Sequence, residues 1–177
     1  MSKLILVTGG ARSGKSHYAQ KRAEEMRGSK CFLATCPPID TEMDQRISKH
    51  KKDRQNKGWD TVEEQLHIDT VLKRKKYDVF LIDCLTLWVN NIFYECEIKN
   101  EVCDEGRIIT RCQQLIEAVD GCGAQVIMVT NEVGMSIVPD NVSGRFFRDL
   151  TGRCNQIIAE AADEVFLVCC GIPVKIK

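Results

Sequence analysis

Gly9, Gly10, Ala11, Arg12, Ser13, Gly14, Lys15 and Ser16 satisfy the pattern G-x-x-x-x-G-K-[ST] directly behind an apolar run at residues 4–7. That arrangement dictates a strand, a tight loop and a helix, in that order. The glycines let successive N–H groups converge on anionic oxygens, and the helix opening near Lys15 adds the positive end of its dipole. Lys15 is then placed to reach the outer phosphates of a nucleotide. The Ser16 hydroxyl suits Mg²⁺, which keeps several waters and binds through one or two protein oxygens plus the nucleotide itself. A ligand-free glycine turn would need neither the strand before the loop nor the helix expected over 15–26.

The chain has 177 residues, enough for one domain spanning 1–177 with a real core. With 25 basic and 25 acidic residues the net charge is zero, so no global field draws in nucleic acid or an anionic membrane. Any anion site is therefore local. No apolar run approaches the roughly 20 residues that span a bilayer, and the first residues run into a strand instead of a signal peptide, so the expected location is cytoplasmic. Ten cysteines would suggest disulfides in a small secreted chain. Here several sit inside apolar runs, and they are read as reduced and mostly buried. No C-x-x-C occurs, and His17, His50 and His67 have no ligand spacing, which argues against structural zinc.

Further strands are expected at 31–36, 59–62, 78–83, 125–130 and 164–170, and helices at 41–55, 66–76, 85–95, 107–119 and 143–162. Residues 95–105 read as an exposed connection. Continuous apolar strands alternating with helices argue for an α/β fold, a mainly parallel sheet with helices on both faces. The strand at 78–83 ends in Asp83, a carboxylate able to contact Mg²⁺ or its waters, or alternatively to cap the next helix. Asn131 and Glu132 follow the strand at 125–130, at the carboxyl end where open α/β sheets build their sites. Arg46, His50 and Arg54 fall four apart on a basic helical stripe.

The loop from Thr8 to Ser16, Glu42-Met43 with Arg46-Ile47 and His50-Lys51, the run Val129-Thr130-Asn131-Glu132-Val133-Gly134-Met135 and the ending Val174-Lys175-Ile176-Lys177 resemble the bifunctional adenosylcobinamide kinase/adenosylcobinamide-phosphate guanylyltransferase family. Phe147-Arg148-Asp149, Gly152-Arg153, Asn155-Gln156 and residues 161–165 resemble it too. The resemblance covers nearly the whole chain. It implies a P-loop NTPase-like fold, a homotrimer, GTP or ATP as substrates and a histidine guanylylated by GTP, for which His50 is the counterpart. It further implies nucleotide contacts from the loop at 9–16, from Ala34, Thr35 and Cys36, from Lys51, Lys52, Asp53 and Arg54, and from Glu63 and Asp83, with Ser16 and Asp83 toward the metal. This chain has Asp83 where family members carry Glu, and Lys49 where they carry a second histidine.

A neutral imidazole can attack the α-phosphorus of GTP, expel pyrophosphate and hold the guanylyl group as a phosphoramidate. Arg46, Arg54, Lys49 and Lys51 around His50 disfavour a further positive charge and keep the ring neutral. The expected activity is phosphorylation of adenosylcobinamide followed by GMP transfer from His50, giving adenosylcobinamide-GDP. Two alternatives stay open, a P-loop kinase of another small hydroxyl substrate and a nucleotide-binding switch protein. The D-x-x-G string at 149–152 speaks only weakly for the switch, since no N-K-x-D follows. His17 and His67 receive no role, and Trp59 and Trp88 are read as packing groups.

Overall fold

A computed structural model describes residues 2–37, 54, 57–74 and 77–177. Strands β1 (Lys3–Thr8), β2 (Lys30–Ala34), β3 (Trp59–Glu63), β4 (Val79–Asp83), β5 (Gln125–Val129), β6 (Glu164–Cys169) and β7 (Ile172–Lys175) form one sheet in the order β3-β2-β4-β5-β1-β6-β7. Every pairing is parallel except β6 with β7. The helices are α1 (Lys15–Glu24), α2 (Ile68–Lys73), α3 (Leu85–Lys99), α4 (Glu105–Cys122) and α5 (Val142–Ala161).

Successive strand residues point to opposite faces, so a strand that is apolar throughout must be covered on both sides. In β1, Leu4 and Leu6 join a core built with Ile68 and Leu72 of α2, Trp88 and Ile92 of α3, Ile108 and Leu115 of α4, and Leu150 and Ile158 of α5. Ile5 and Val7 turn to the other face and meet Ala19 and Ala23 of α1. The two small residues on α1 keep the helix that follows the phosphate loop close against the strand that precedes it.

Four departures from the sequence expectation have local causes. β2 stops at Ala34 because the Thr35 hydroxyl turns back onto the neighbouring strand, donating to the Cys84 carbonyl at 2.8 Å and accepting from the Cys84 N–H at 2.8 Å. α2 begins only at Ile68, since the N–H groups of Leu66 and His67 are taken by Glu64 Oε1. α3 runs to Lys99, beyond the expected end at 95: Trp88, Ile92 and Cys96, four apart and buried, continue its inward stripe through a charged stretch. Asn100, in the left-handed region at φ 57°, ends it, and Asp104 caps α4 by accepting from the Arg107 N–H. Finally, Cys170 and Gly171, at φ 50° and 80°, reverse the chain into β7, a strand the sequence reading did not separate.

Seven of the ten cysteines are buried, and burial pushes the Cys31 and Cys84 thiols up to about 12. Trp88 packs in the core with its indole N–H donating to the Leu66 carbonyl, and Trp59 lies edge-on to Phe32. Apart from Arg54, the helix expected over 41–55 lies outside the described residues.

Candidate active site

The strand register fixes which side chains share the carboxyl edge of the sheet. Glu63 pairs with Ala34, Ala34 with Asp83, Asp83 with Val129, and Val129 with Val7. One row therefore crosses five strands and ends just before the glycine-rich loop. Asp83 stands two strand spacings from Val7, about 10 Å at roughly 4.8 Å per strand. Ala34 and Glu63, expected from the resemblance to contact nucleotide, lie farther along the same row.

The loop itself is shaped by backbone geometry that side chains resist. Gly9 (φ 155°) has no room for a Cβ, which would stand 2.4 Å from the Val168 carbonyl oxygen. Arg12 adopts φ 57° and Gly14 φ 93°, where a Cβ on Gly14 would stand 3.1 Å from Gly171 Cα. The turn after β6 thus presses on the loop, and the Gly171 N–H donates to the Ser13 carbonyl at 2.8 Å. A Cβ on Gly10, by contrast, would meet nothing within 4 Å, so the loop is open above that residue.

Lys15 opens α1, is buried, and donates from Nζ to the Gly10 carbonyl at 3.1 Å. Burial pushes its pKa below the ordinary value, while the carboxylate of Asp83 acts the opposite way. The Ser13 hydroxyl is buried without a hydrogen-bond partner in the chain. A buried orphan hydroxyl, a desolvated ammonium and an open cradle are the complement of an anion. Ser16 at the first turn of α1 and Asp83 on β4 supply hard oxygen donors of the kind Mg²⁺ takes. Among the described residues no group of three or more His, Cys, Asp or Glu gathers that could hold a metal ion.

On the β2 side the polar groups are turned inward. Beyond the reciprocal bonds between Thr35 and Cys84, the Asn91 amide donates to the carbonyls of Thr35 and Gln65. Cys36 lies half-buried just beyond. Arg54 is buried with its guanidinium 3.4 Å from the Phe32 ring centre. His50, Lys51, Lys52 and Asp53 lie outside the described residues.

The end of β5 carries a network that sequence reasoning located without assigning. The Glu132 N–H donates to the Gly9 carbonyl at 3.2 Å, and Glu132 Oε1 accepts from the Thr8 hydroxyl at 2.7 Å and from the Asn155 amide at 3.3 Å. The same amide donates to the Asn131 carbonyl, and Asn155 Oδ1 accepts from the Thr130 hydroxyl at 2.7 Å. The Asn131 N–H donates to the Thr86 hydroxyl. Thr8 and Asn155 gave no motif signal of their own as site residues, because their role comes from partners distant in sequence. The D-x-x-G string lies within α5, where Thr151 is buried and bonded to the Phe147 carbonyl, so it is helix and not a nucleotide loop.

The family model described as cobinamide kinase/cobinamide phosphate guanyltransferase matches residues 5–176. The bifunctional adenosylcobalamin biosynthesis protein CobU of Salmonella typhimurium is 43% identical over 182 residues, covering 98% of this chain and 99% of the relative. Its Escherichia coli counterpart is 41% identical, again over 98% of this chain and 99% of the relative. Among solved structures, an ATPase of a bacterial type III secretion system shares the fold with a TM-score of 0.58 at 10% identity, over 93% of this chain and 50% of that one. A KaiC-like protein of Pyrococcus horikoshii gives 0.51 at 16% identity, over 93% and 70%. These distant likenesses place the sheet among P-loop NTPase folds.

Proposed function

Since the chain belongs to the cobinamide kinase/cobinamide phosphate guanyltransferase family, we propose that one domain, residues 1–177, carries out both reactions on adenosylcobinamide at the carboxyl edge of its sheet. The observation that carries this reading is the register row, which sets Asp83, Ala34 and Glu63 level with the strand that opens into the phosphate loop.

In the kinase step the loop from Gly9 to Ser16 receives the triphosphate of ATP or GTP through its N–H groups. Lys15 swings from the Gly10 carbonyl to the outer phosphates, where a desolvated ammonium acts strongly on the charge of the transferring phosphoryl group. Ser16 and Asp83 would hold Mg²⁺ together with the nucleotide, and the bound ion would supply charge neutralisation to the triphosphate. In the second step the neutral imidazole of His50 displaces pyrophosphate from GTP and passes GMP to the cobinamide phosphate. Ala34, Thr35, Cys36, Lys51, Lys52, Asp53, Arg54 and Glu63 belong to the nucleotide-contacting set in this proposal.

Incubation with GTP labelled at the α-phosphate, followed by site mapping, tests it. The label is expected on His50 as an acid-labile, alkali-stable adduct. His50→Asn should lose both the adduct and GMP transfer while phosphorylation of adenosylcobinamide persists in part. An adduct on Lys49 or Lys51, or one that survives in His50→Asn, would overturn the assignment.

The resemblance extends the proposal to a homotrimer in the cytoplasm. No helix among the described residues is long and apolar enough to cross a membrane. Sedimentation should report about three times the 20.0 kDa chain mass, and a competent monomer would defeat this part of the reading.

A further inference from the structure

Glu132 is tied to the phosphate loop twice, by its N–H on the Gly9 carbonyl and by its carboxylate on Thr8, the last residue of β1. Both side-chain hydrogen bonds arrive at Oε1, one from the Thr8 hydroxyl and one from the Asn155 amide. Among the described residues Oε2 accepts from no donor, and no Lys or Arg forms an ion pair with Glu132. The carboxylate is only half-buried, beside a loop that is open above Gly10.

A carboxylate that no described Lys or Arg pairs with, fixed at the rim of a site for a triphosphate, repels the ligand the site is proposed to hold. Its placement makes chemical sense if it receives a proton there. The bonds to Oε1 set the orientation of the group, and they leave the second oxygen for the reaction.

We propose that Glu132 is the general base of the kinase step, a reading that rests on the phosphorylation reaction proposed above. The substrate hydroxyl oxygen attacks the γ-phosphorus and forms the new P–O bond. The bond from that phosphorus to the β–γ bridging oxygen breaks, and its electron pair leaves with the nucleoside diphosphate. The hydroxyl proton passes to Glu132 Oε2 and from there to solvent. Thr8 and Asn155 are positioning residues, which act by holding Oε1. The guanylylation half-reaction places no such demand on Glu132, because a neutral imidazole attacks with a lone pair and carries no proton on the attacking nitrogen.

The test uses the full chain with ATP, Mg²⁺ and adenosylcobinamide, and measures guanylylation by GTP in the same preparation. Glu132→Gln should lower the kinase kcat relative to the guanylylation rate by on the order of 10²–10⁴-fold, the usual contribution of a positioned base. The acidic limb of the wild-type kcat profile should flatten with it, which loss of packing alone would not cause. A kinase kcat within a few-fold of wild type, or an acidic limb that persists unchanged, overturns the proposal. If the Gln variant fails to fold, Glu132→Asp decides: a lowered kcat with a displaced acidic limb supports the base, and an unmoved limb refutes it. Failure of the wild-type chain to phosphorylate adenosylcobinamide would instead remove the kinase reading itself, an outcome separable from a Glu132-specific failure.

Discussion

Two corners of one sheet edge are built on opposite plans. At the end of β1 the loop is made of backbone held in left-handed conformations at Arg12 and Gly14, with a buried ammonium at Lys15 and an orphan hydroxyl at Ser13. At the ends of β2 and β4 the polar groups satisfy one another, through the two bonds between Thr35 and Cys84 and the two that Asn91 donates. The first corner leaves polar groups without partners in the chain, whereas at the second the side chains of Thr35 and Asn91 spend theirs internally while Asp83 faces the proposed site. The strand scaffold beneath is continuous, so function and stability are separated here by side-chain and backbone detail within a few strand spacings.

Lys15→Ala should produce the largest effect and break the contrast if it fails. Phosphoryl transfer is expected to fall on the order of 10²–10³-fold, the scale of losing a positioned charge-stabilising donor, while the denaturation midpoint at pH 7 stays level or rises. The sign follows from burial. The folded pKa of Lys15 lies below the ordinary 10.5, so between the two values the unfolded chain binds more protons at this group, and the Lys15 contribution to stability rises with pH there. The buried thiols of Cys31 and Cys84, raised to about 12, lose stability with rising pH in both chains, so urea titrations near pH 7 and pH 10 should show a smaller fall in the wild type than in Lys15→Ala. A variant that loses stability in step with activity would show that the two corners are not built differently.

Thr35→Val sharpens the same contrast from the other side with a smaller effect. The substitution keeps the shape and strips both bonds to Cys84, leaving a buried N–H without its acceptor, a cost of about 1–3 kcal/mol. The midpoint should fall accordingly and kcat for the kinase step should change less than tenfold. A large kcat loss with an unmoved midpoint would show that the Thr35 hydroxyl serves the proposed nucleotide contact more than it serves its bonds to Cys84.

What could be read from the sequence follows the range of the interaction. The phosphate loop was legible because its spacing, strand and helix are all local, and Asp83 because a strand's end is visible as the last residue of an apolar run. The bond between Thr8 and Glu132 was not, since its partners are 124 positions apart. The extension of α3 was present in the four-residue spacing of Trp88, Ile92 and Cys96, yet the charged residues between them disguised it. The contact of Gly171 with the loop left no local trace at all, because nothing near residue 171 indicates which strand β6 lies beside.

That contact bears on the order in which the molecule is made. The phosphate loop is synthesised before the elements that brace it: β1 is flanked by β6, the Leu4 N–H is bonded to the Asp163 carboxylate 159 positions later, and Gly14 packs against Gly171. Domains mature as units while the ribosome delivers about 5–20 residues per second. A nascent chain that has already exposed its glycine-rich loop therefore lacks the strand and turn that brace it. Nucleotide binding thus depends on a strand and a turn that are translated well after the binding motif itself.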